Sequence, residues 1–421
     1  MTKKRVEKPK REFSRHQLSH FQMQKRRQRF ILGIGISIIS VVLGIVGVGW
    51  YLGEHQPRQQ TVIKVNETEF EMDYFVKMLQ FYGEGYDANF MLGIVDDVVR
   101  GIEQNELIWQ EAAKLGVTVS DSEVDDELGE REPAISRDYR DLVRTEMLMS
   151  RLIDGYFDEQ VPLSTGQKHI MAMFLESERQ VAEVSARLED GEDFGQLAGE
   201  FSLEALSQSE GGDLGWRPRG ILPLIMGTAV PEDYAFGAEV EVLSQPLYDE
   251  AIVKHLGYWL IEVLEIEEEP QEAHGRVILL PSEEEAESAR VRLEDGEDFT
   301  ALVAELSHHD YSKEKEGDLG WLTPEEMSPV AEEFVFGAEM ELGIVSEPLR
   351  DDSTITRGGY WLVKIAEEDD DLEIPAEYRE LLKSEIINEW LASLWENPEN
   401  EIEDYLDGDQ KTWAAERAAR G

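Results

Sequence analysis

The octapeptide RLEDGEDF stands at Arg187–Phe194 and again, letter for letter, at Arg292–Phe299, 105 residues downstream. Extending the comparison outward shows a duplication rather than a chance match. GDLGW recurs at Gly212 and Gly317, FGAE at Phe236 and Phe336, SQPL and SEPL at Ser244 and Ser346, and GYWL at Gly257 and Gly359. The spacing falls from 105 to 100 and returns to 102, which places a deletion and an insertion in loops. Each copy, at about 95 residues, is too long and irregular for a solenoid unit.

The octapeptide reads as an elbow between two helices. Before it, Val181, Val184 and Leu188, or Ala286, Ala289 and Leu293, form an i, i+3, i+7 stripe. After it, Phe194, Leu197, Ala198 and Phe201, or Phe299, Leu302, Val303 and Leu306, make a second amphipathic helix. Gly191 and Gly296 suit the left-handed position that ends the first helix, and Asp193 and Asp298 suit the cap of the second. With a strand ahead of the elbow (His169–Leu175; Arg276–Leu280) and a strand pair closing on YWLIEVLEI or YWLVKIAEE, each copy is expected to be a small antiparallel sheet covered by helices, an α+β domain.

Charge divides the rest of the chain. The first 29 residues hold eleven Lys or Arg against Glu7 and Glu12, a net of +9, so with −50 for the whole chain the remainder carries −59. Between the two regimes Phe30–Leu52 runs 23 residues without a charge, long enough at about 1.5 Å per residue to cross a hydrocarbon core of about 30 Å. No cleavage site follows it, Trp50 and Tyr51 suit the interface, and the basic flank is expected to stay inside. The expectation is a single-pass anchor in the cell (inner or cytoplasmic) membrane, N-terminus inside and the remainder extracytoplasmic. That acidic remainder excludes nucleic acid as a partner. The absence of cysteine removes disulfides and thiolate catalysis. No His/Asp/Glu cluster has metal-ligand spacing, no G-x-S-x-G is present, and no cofactor is expected. The acidic run Glu367–Asp371 lacks the alternating ligands of a calcium loop and reads as a solvated linker.

At this point the repeats resemble the parvulin (PpiC-type) family of peptidyl-prolyl isomerases. The resemblance is carried in order by KHIMAMF, the G-x-DF elbow, FS…GGDLGW and the closing L-x-x-P-L…GYW, over about 165–268 and 274–366. Ahead of them, VIKVNETEFEMDYF and VVRGIEQNELIWQEAAKLGVTVSDSEVDDEL resemble the N-terminal chaperone domain of SurA-, PpiD- and PrsA-type foldases. There Val95, Val98, Val99, Ile102, Trp109 and Ala112 stripe one helix, Gly116 stops it, and Ser120 with Glu123 forms a capping box for the next. IPAEYRELLKSEIINEWLASLWENP reads as the helix that returns to that domain in such foldases. The expected organisation is a cytoplasmic tail (1–29), an anchor (30–52), a helical chaperone domain (54–165), two parvulin-like domains (166–268 and 272–368), and a C-terminal helix and tail (372–421).

A parvulin site, as the resemblance implies, places two histidines on adjacent central strands beside an acidic or thiol group and an apolar pocket. In the first copy His169 and Glu204 match the first histidine and the acidic position, while Trp259 stands where the second histidine is due. Leu214, Met226, Phe236 and Tyr258 complete the expected pocket, and the family's pocket Phe falls at Val230 or Pro231. In the second copy Val277 replaces the first histidine and Trp361 the second, with His274 three residues out of register. Asp310, Leu319, Met327 and Phe336 stand as its pocket, with Ala331 at the pocket Phe. His255, His308 and His309 read as surface residues. Met72, Met78, Met91, Met147 and Met149 read either as core or as an adaptable surface for apolar clients.

Three functions fit these residues: a membrane-tethered extracytoplasmic foldase whose first repeat isomerises prolines weakly and whose second is inactive, a non-catalytic chaperone or scaffold using degenerate parvulin units to hold peptides, or a structural component of a secretion or envelope complex localised by the anchor. The expected partners are unfolded or proline-containing polypeptides, the membrane through one helix, and the secretion machinery.

Overall fold

Both elbows form as their residues dictate. In the computed structural model, which describes residues 37, 39–132, 135–269, 271–337 and 340–420, helix Glu178–Glu189 turns at Gly191 (φ +93°) into Phe194–Phe201, and Glu283–Glu294 turns at Gly296 (φ +92°) into Phe299–Leu306. Asp193 accepts from the Gln196 amide and Asp298 from the Ala301 amide, capping the second helices. The arginine has a function of its own: Arg187 grips Glu192 and Glu200, and Arg292 grips Glu297 and Glu305, clasping the two helices across the turn. Phe194 and Phe299 enter the cores. Each octapeptide thus carries a clasp, a turn, a cap and a core anchor.

The chain divides into two compact units, residues 1–156 with 387–421, and 157–386. In the first, strands β1 (Thr61–Val65) and β2 (Thr68–Glu71) form an antiparallel sheet with Ile402–Asp404, whose Ile402 pairs with Val65. Helices Met72–Tyr82 and Val95–Lys114 pack on it around Phe75, Met78, Leu79, Val98 and Ile102, and the returning chain adds Leu394, Leu406, Ala414 and Ala415. The region expected to be helical therefore includes a sheet, closed by a strand from the far end of the chain. Ser120 and Glu123 form the capping box. Met72, Met78 and Met91 are buried and serve as core.

Residues 1–29 and the first part of the Phe30–Leu52 run lie outside the described residues. From 39 to 50 the run is helical, and Ile39, Val42, Leu43, Ile45, Val46 and Trp50 are all exposed, so no side of the helix is packed. No helix of the described residues is long and apolar enough to cross a membrane.

The second unit holds two four-stranded antiparallel sheets. The outer sheet has the order β4-β3-β10-β5, built from β3 (Ser164–Leu175), β4 (Asp213–Pro218), β5 (Leu247–Lys254) and β10 (Thr356–Glu373). The inner sheet has the order β8-β7-β6-β9, built from β6 (Gly257–Glu268), β7 (Gln271–Leu280), β8 (Asp318–Leu322) and β9 (Leu349–Asp351). The sheets do not follow the repeats. β6, which closes the first repeat in sequence, turns directly into β7 and pairs with it from Tyr258↔Leu280 to Glu268↔Gln271. β10, which closes the second, pairs with β3 from Tyr360↔Leu175 to Glu373↔Ser164. Each repeat thus lends its closing strand to the other, and the inner sheet is a contiguous segment set between β5 and β10. Glu367–Asp371, expected as a linker, lies within β10 and continues the ladder opposite β3.

Two measurements follow. Because the chain has no cysteine, a Lys168→Cys/Glu368→Cys variant should oxidise to a disulfide seen as a mobility shift on a non-reducing gel. The two residues are ladder partners, which puts their Cα atoms about 4.5–5.5 Å apart, within disulfide range. The pair Lys168→Cys/Ile266→Cys should not link; Ile266 holds the place 102 residues earlier that would face Lys168 if the first repeat closed its own sheet, and its linking would refute the exchange. In the first unit, burial pushes the carboxyl of Glu103 up to about 7, with Asp404 adding to the effect and Arg100 opposing it. A carboxyl raised in the fold costs nothing below its unfolded value and costs most above its folded one. Glu103→Gln should accordingly raise stability by up to about 3 kcal/mol at pH 8 and leave it unchanged near pH 4, measured by urea unfolding.

Candidate functional site

Alternation along the central strands separates each sheet into a helix-covered face and a pocket face. On β3, Met173 and Leu175 pack against the elbow helices, whereas Ile170, Ala172 and Phe174 join Leu214, Leu222 and Trp361 on the other side. On β7, Ile278 and Leu280 pack under the helices, and Ala273, Gly275 and Val277 face a cavity of about 200 Å³.

That cavity is the candidate site. One wall is Trp259, Ile261 and Val263 of β6, from the first repeat; the rest is Leu319, Met327, Ala331, Val335, Glu326 and His309 of the second. An apolar cavity of about 150 Å³ already accommodates benzene, so a five-membered ring fits. Trp259 is fixed by its indole, whose Nε1–H donates to Asp351 Oδ2 at 3.0 Å, and Asp351 in turn accepts from the Ser353 amide. The edge of His309 meets this indole, ring centroids 5.2 Å apart. His309 Nδ1 accepts the Ser312 amide at 3.3 Å, capping the short helix Asp310–Glu314. This leaves Nε2 to carry the proton. Burial holds the imidazole below its usual pKa, against the opposing charge of Asp310, so at neutral pH the ring is an uncharged hydrogen-bond donor.

The corresponding place in the outer sheet is filled. Trp361 is wholly buried, its ring 5.0 Å from Phe174 and its Nε1–H donating to Asp249 Oδ2 at 3.0 Å. At the 105-residue spacing, Ile170 answers to Gly275 and Phe174 to Leu279. The outer sheet therefore presents more bulk where the inner one leaves space. Leu214, Met226 and Tyr234 pack into this core.

Several expected site residues stand elsewhere. His169 alternates onto the face opposite Ala172, where its Nε2 pairs with Asp213 Oδ1 at 2.7 Å beside Trp216. His274 does the same with Asp318 at 2.8 Å and Trp321. The two histidines are equivalent, and both lie outside the pockets; the pocket-face equivalents are Ala172 and Val277. His169, which the resemblance makes the first histidine, stands three residues ahead of Ala172, an odd step along the strand that puts it on the other face. Glu204 is a helix cap, accepting from the Leu206 and Ser207 amides. Asp310 is exposed at a helix start. Tyr258 is buried on the helix-covered face. Phe236 lies under the Arg219 guanidinium, and Phe336 packs behind the cavity. Of the expected residues, Trp259, Leu319 and Met327 come together. His309, read as a surface residue, joins them, and the signal was available: it stands 105 residues after Glu204.

The arrangement offers an apolar slot with a neutral imidazole donor at its wall, and Glu326 and Ser328 at its polar edge. Among the described residues no cluster could hold a metal ion.

The PPIC-type PPIase domain family matches residues 169–264 and 276–367, and the SurA-like N-terminal domain family matches residues 21–140. The chain is 26% identical over 369 residues to the Chaperone SurA of Nitrosococcus oceani, covering 72% of this chain and 82% of that one. It is 27% identical over 198 residues to the Foldase protein PrsA of Caldanaerobacter subterraneus, covering 42% of this chain and 61% of that one. The crystal structure of peptidylprolyl isomerase (PrsA) from Bacillus anthracis is 13% identical, covering 76% of this chain and 94% of that one, with a TM-score of 0.28, too low to carry an argument.

If the cavity is open as described, xenon should shift the methyl resonances of Val277 and Leu319 in the wild type, and Ala331→Phe should abolish the shift. Xenon shifts that persist in the variant would place the space elsewhere.

Proposed function

We propose that this chain, which joins a SurA-like N-terminal domain to PPIC-type PPIase domains, is a membrane-tethered, extracytoplasmic foldase that holds proline-containing segments of unfolded proteins in the inner cavity. The observation that carries this reading is the slot bounded by Trp259, Leu319, Met327 and His309.

Rotation about an Xaa-Pro bond faces a barrier of about 18–20 kcal/mol, set by amide resonance. A site lowers it by burying the ring, stripping water from the carbonyl and donating to the nitrogen as it pyramidalises. The inner cavity supplies the burial, and the uncharged His309 ring at its wall is placed to donate; the Ser328 hydroxyl, also at the wall, is bonded to Asp351. The place of the family's histidines is taken by Val277 and Trp259, whose indole N–H is committed to Asp351. Isomerisation is therefore slow beside binding, and holding is the principal activity. The proposal moves the working pocket from the first repeat, where the motifs suggested it, to the second.

Tethering is supported by the uncharged run Phe30–Leu52, its basic flank and the outward-facing apolar side chains of residues 39–50. The excess of carboxylates beyond it favours neutral or basic clients. Tethered beside the membrane, it would meet newly exported chains.

Exchange spectroscopy on a proline peptide tests the proposal with the full chain in detergent. The wild type should broaden the peptide resonances and accelerate exchange modestly; Trp259→Ala should abolish both, His309→Ala should remove acceleration while keeping binding, and His169→Ala should change neither. Loss of acceleration in His169→Ala would overturn the assignment to the inner cavity.

A further inference from the structure

The cavity wall that carries Trp259 is also the strand that crosses from one repeat to the other, and its start is gripped from the outer sheet. Along β6 the side chains alternate: Trp259, Ile261 and Val263 face the cavity, while Tyr258 and Leu260 face the helix-covered core. Tyr258, buried, donates its hydroxyl to Glu176 Oε2 at 3.0 Å. Glu176 follows β3 of the outer sheet and is itself buried, its backbone amide held by Gln180. One bond thus ties the outer sheet to the residue adjoining Trp259.

The same point grips the other exchanged strand. Lys254, at the end of β5 and almost wholly buried, donates to the Gly358 carbonyl, three residues before Trp361, and Thr356 donates to the Leu256 carbonyl. The groups facing Glu176 are Tyr258, Lys254, Arg350 and Glu283, while Glu285 and His308 flank Lys254. Burial raises the Glu176 carboxyl above the usual range and lowers the Lys254 ammonium to about 8, as expected of ionisable groups sealed between two sheets. The pair is not repeated. At the 105-residue spacing Glu176 answers to Pro281, which has no side-chain acceptor, and Tyr360, the counterpart of Tyr258, is only partly buried and bonds instead to Glu178, the first residue of an elbow helix on its own sheet. The duplicated motifs therefore do not account for it, and it serves the strand whose neighbour lines the open cavity.

We infer that Glu176 and Tyr258 are positioning residues for the peptide slot, through which the outer sheet sets the placement of Trp259 in the inner one. The inference rests on the peptide-holding reading of that cavity. A buried hydroxyl-to-carboxylate bond of this kind is worth enough that its loss moves an equilibrium about tenfold.

The test uses the full chain, with two readouts: affinity for a proline peptide and the Nε1–H resonance of Trp259. Tyr258→Phe, which removes one oxygen, and Glu176→Leu should each weaken the peptide about tenfold and shift the Trp259 resonance. Glu176→Gln keeps an acceptor at the same place and should restore both, which loss of general stability would not. Unchanged affinity and an unmoved resonance in Tyr258→Phe would overturn the inference. If the wild type binds no peptide, the reading of the cavity falls, and the Trp259 resonance in Tyr258→Phe and Glu176→Gln alone decides whether the pair positions that ring.

Discussion

The pairing of β6 with β7 and of β10 with β3 is the constraint on which the second unit depends. A strand must satisfy its backbone donors and acceptors along both edges where it is central, and β10 does so between β3 and β5 as β6 does between β7 and β9. Once the two closing strands are exchanged, the pocket of each sheet is necessarily a joint product of both repeats. Trp259 reaches a cavity otherwise made by the second repeat, and Trp361 fills a core otherwise made by the first.

The elbow was legible in sequence because its determinants are local. A glycine, an aspartate and two apolar stripes within 21 residues, Val181–Phe201, fix the turn without reference to anything distant. The exchange was not legible for the opposite reason. GYWLIEVLEI and GYWLVKIAEE share their alternation, so either strand satisfies either sheet, and only long-range contacts decide between them. The strand opposite β1 could not be read either, since Ile402–Asp404 lies more than three hundred residues from its partner.

At the site, the residue types were legible and their faces were not. Trp259, Leu319 and Met327 were found because motif spacing fixes them. His169 was misplaced because a side chain's face on a strand depends on counting from the right anchor, and KHIMAMF offers two. The repeat itself supplied the remedy: His169 and His274 are 105 residues apart and adopt the same bond to Asp213 and Asp318, which marks both as outward-facing. The same arithmetic brings His309 opposite Glu204, where an acidic cap in one copy has become an imidazole at a cavity wall in the other.

The nesting of segments also sets a timetable for synthesis. The inner sheet is complete once residue 351 has been made, the outer sheet must wait for β10, and the first unit lacks its third strand until residue 404. A chain emerging from its N-terminus therefore closes from the inside outward, and the part that begins it is finished last. Until then the β1 edge that Ile402–Asp404 covers, and the apolar surface that Leu394, Leu406, Ala414 and Ala415 cover, stay open, so a protein whose relatives are named as chaperones is itself open to wrong contacts while it is made.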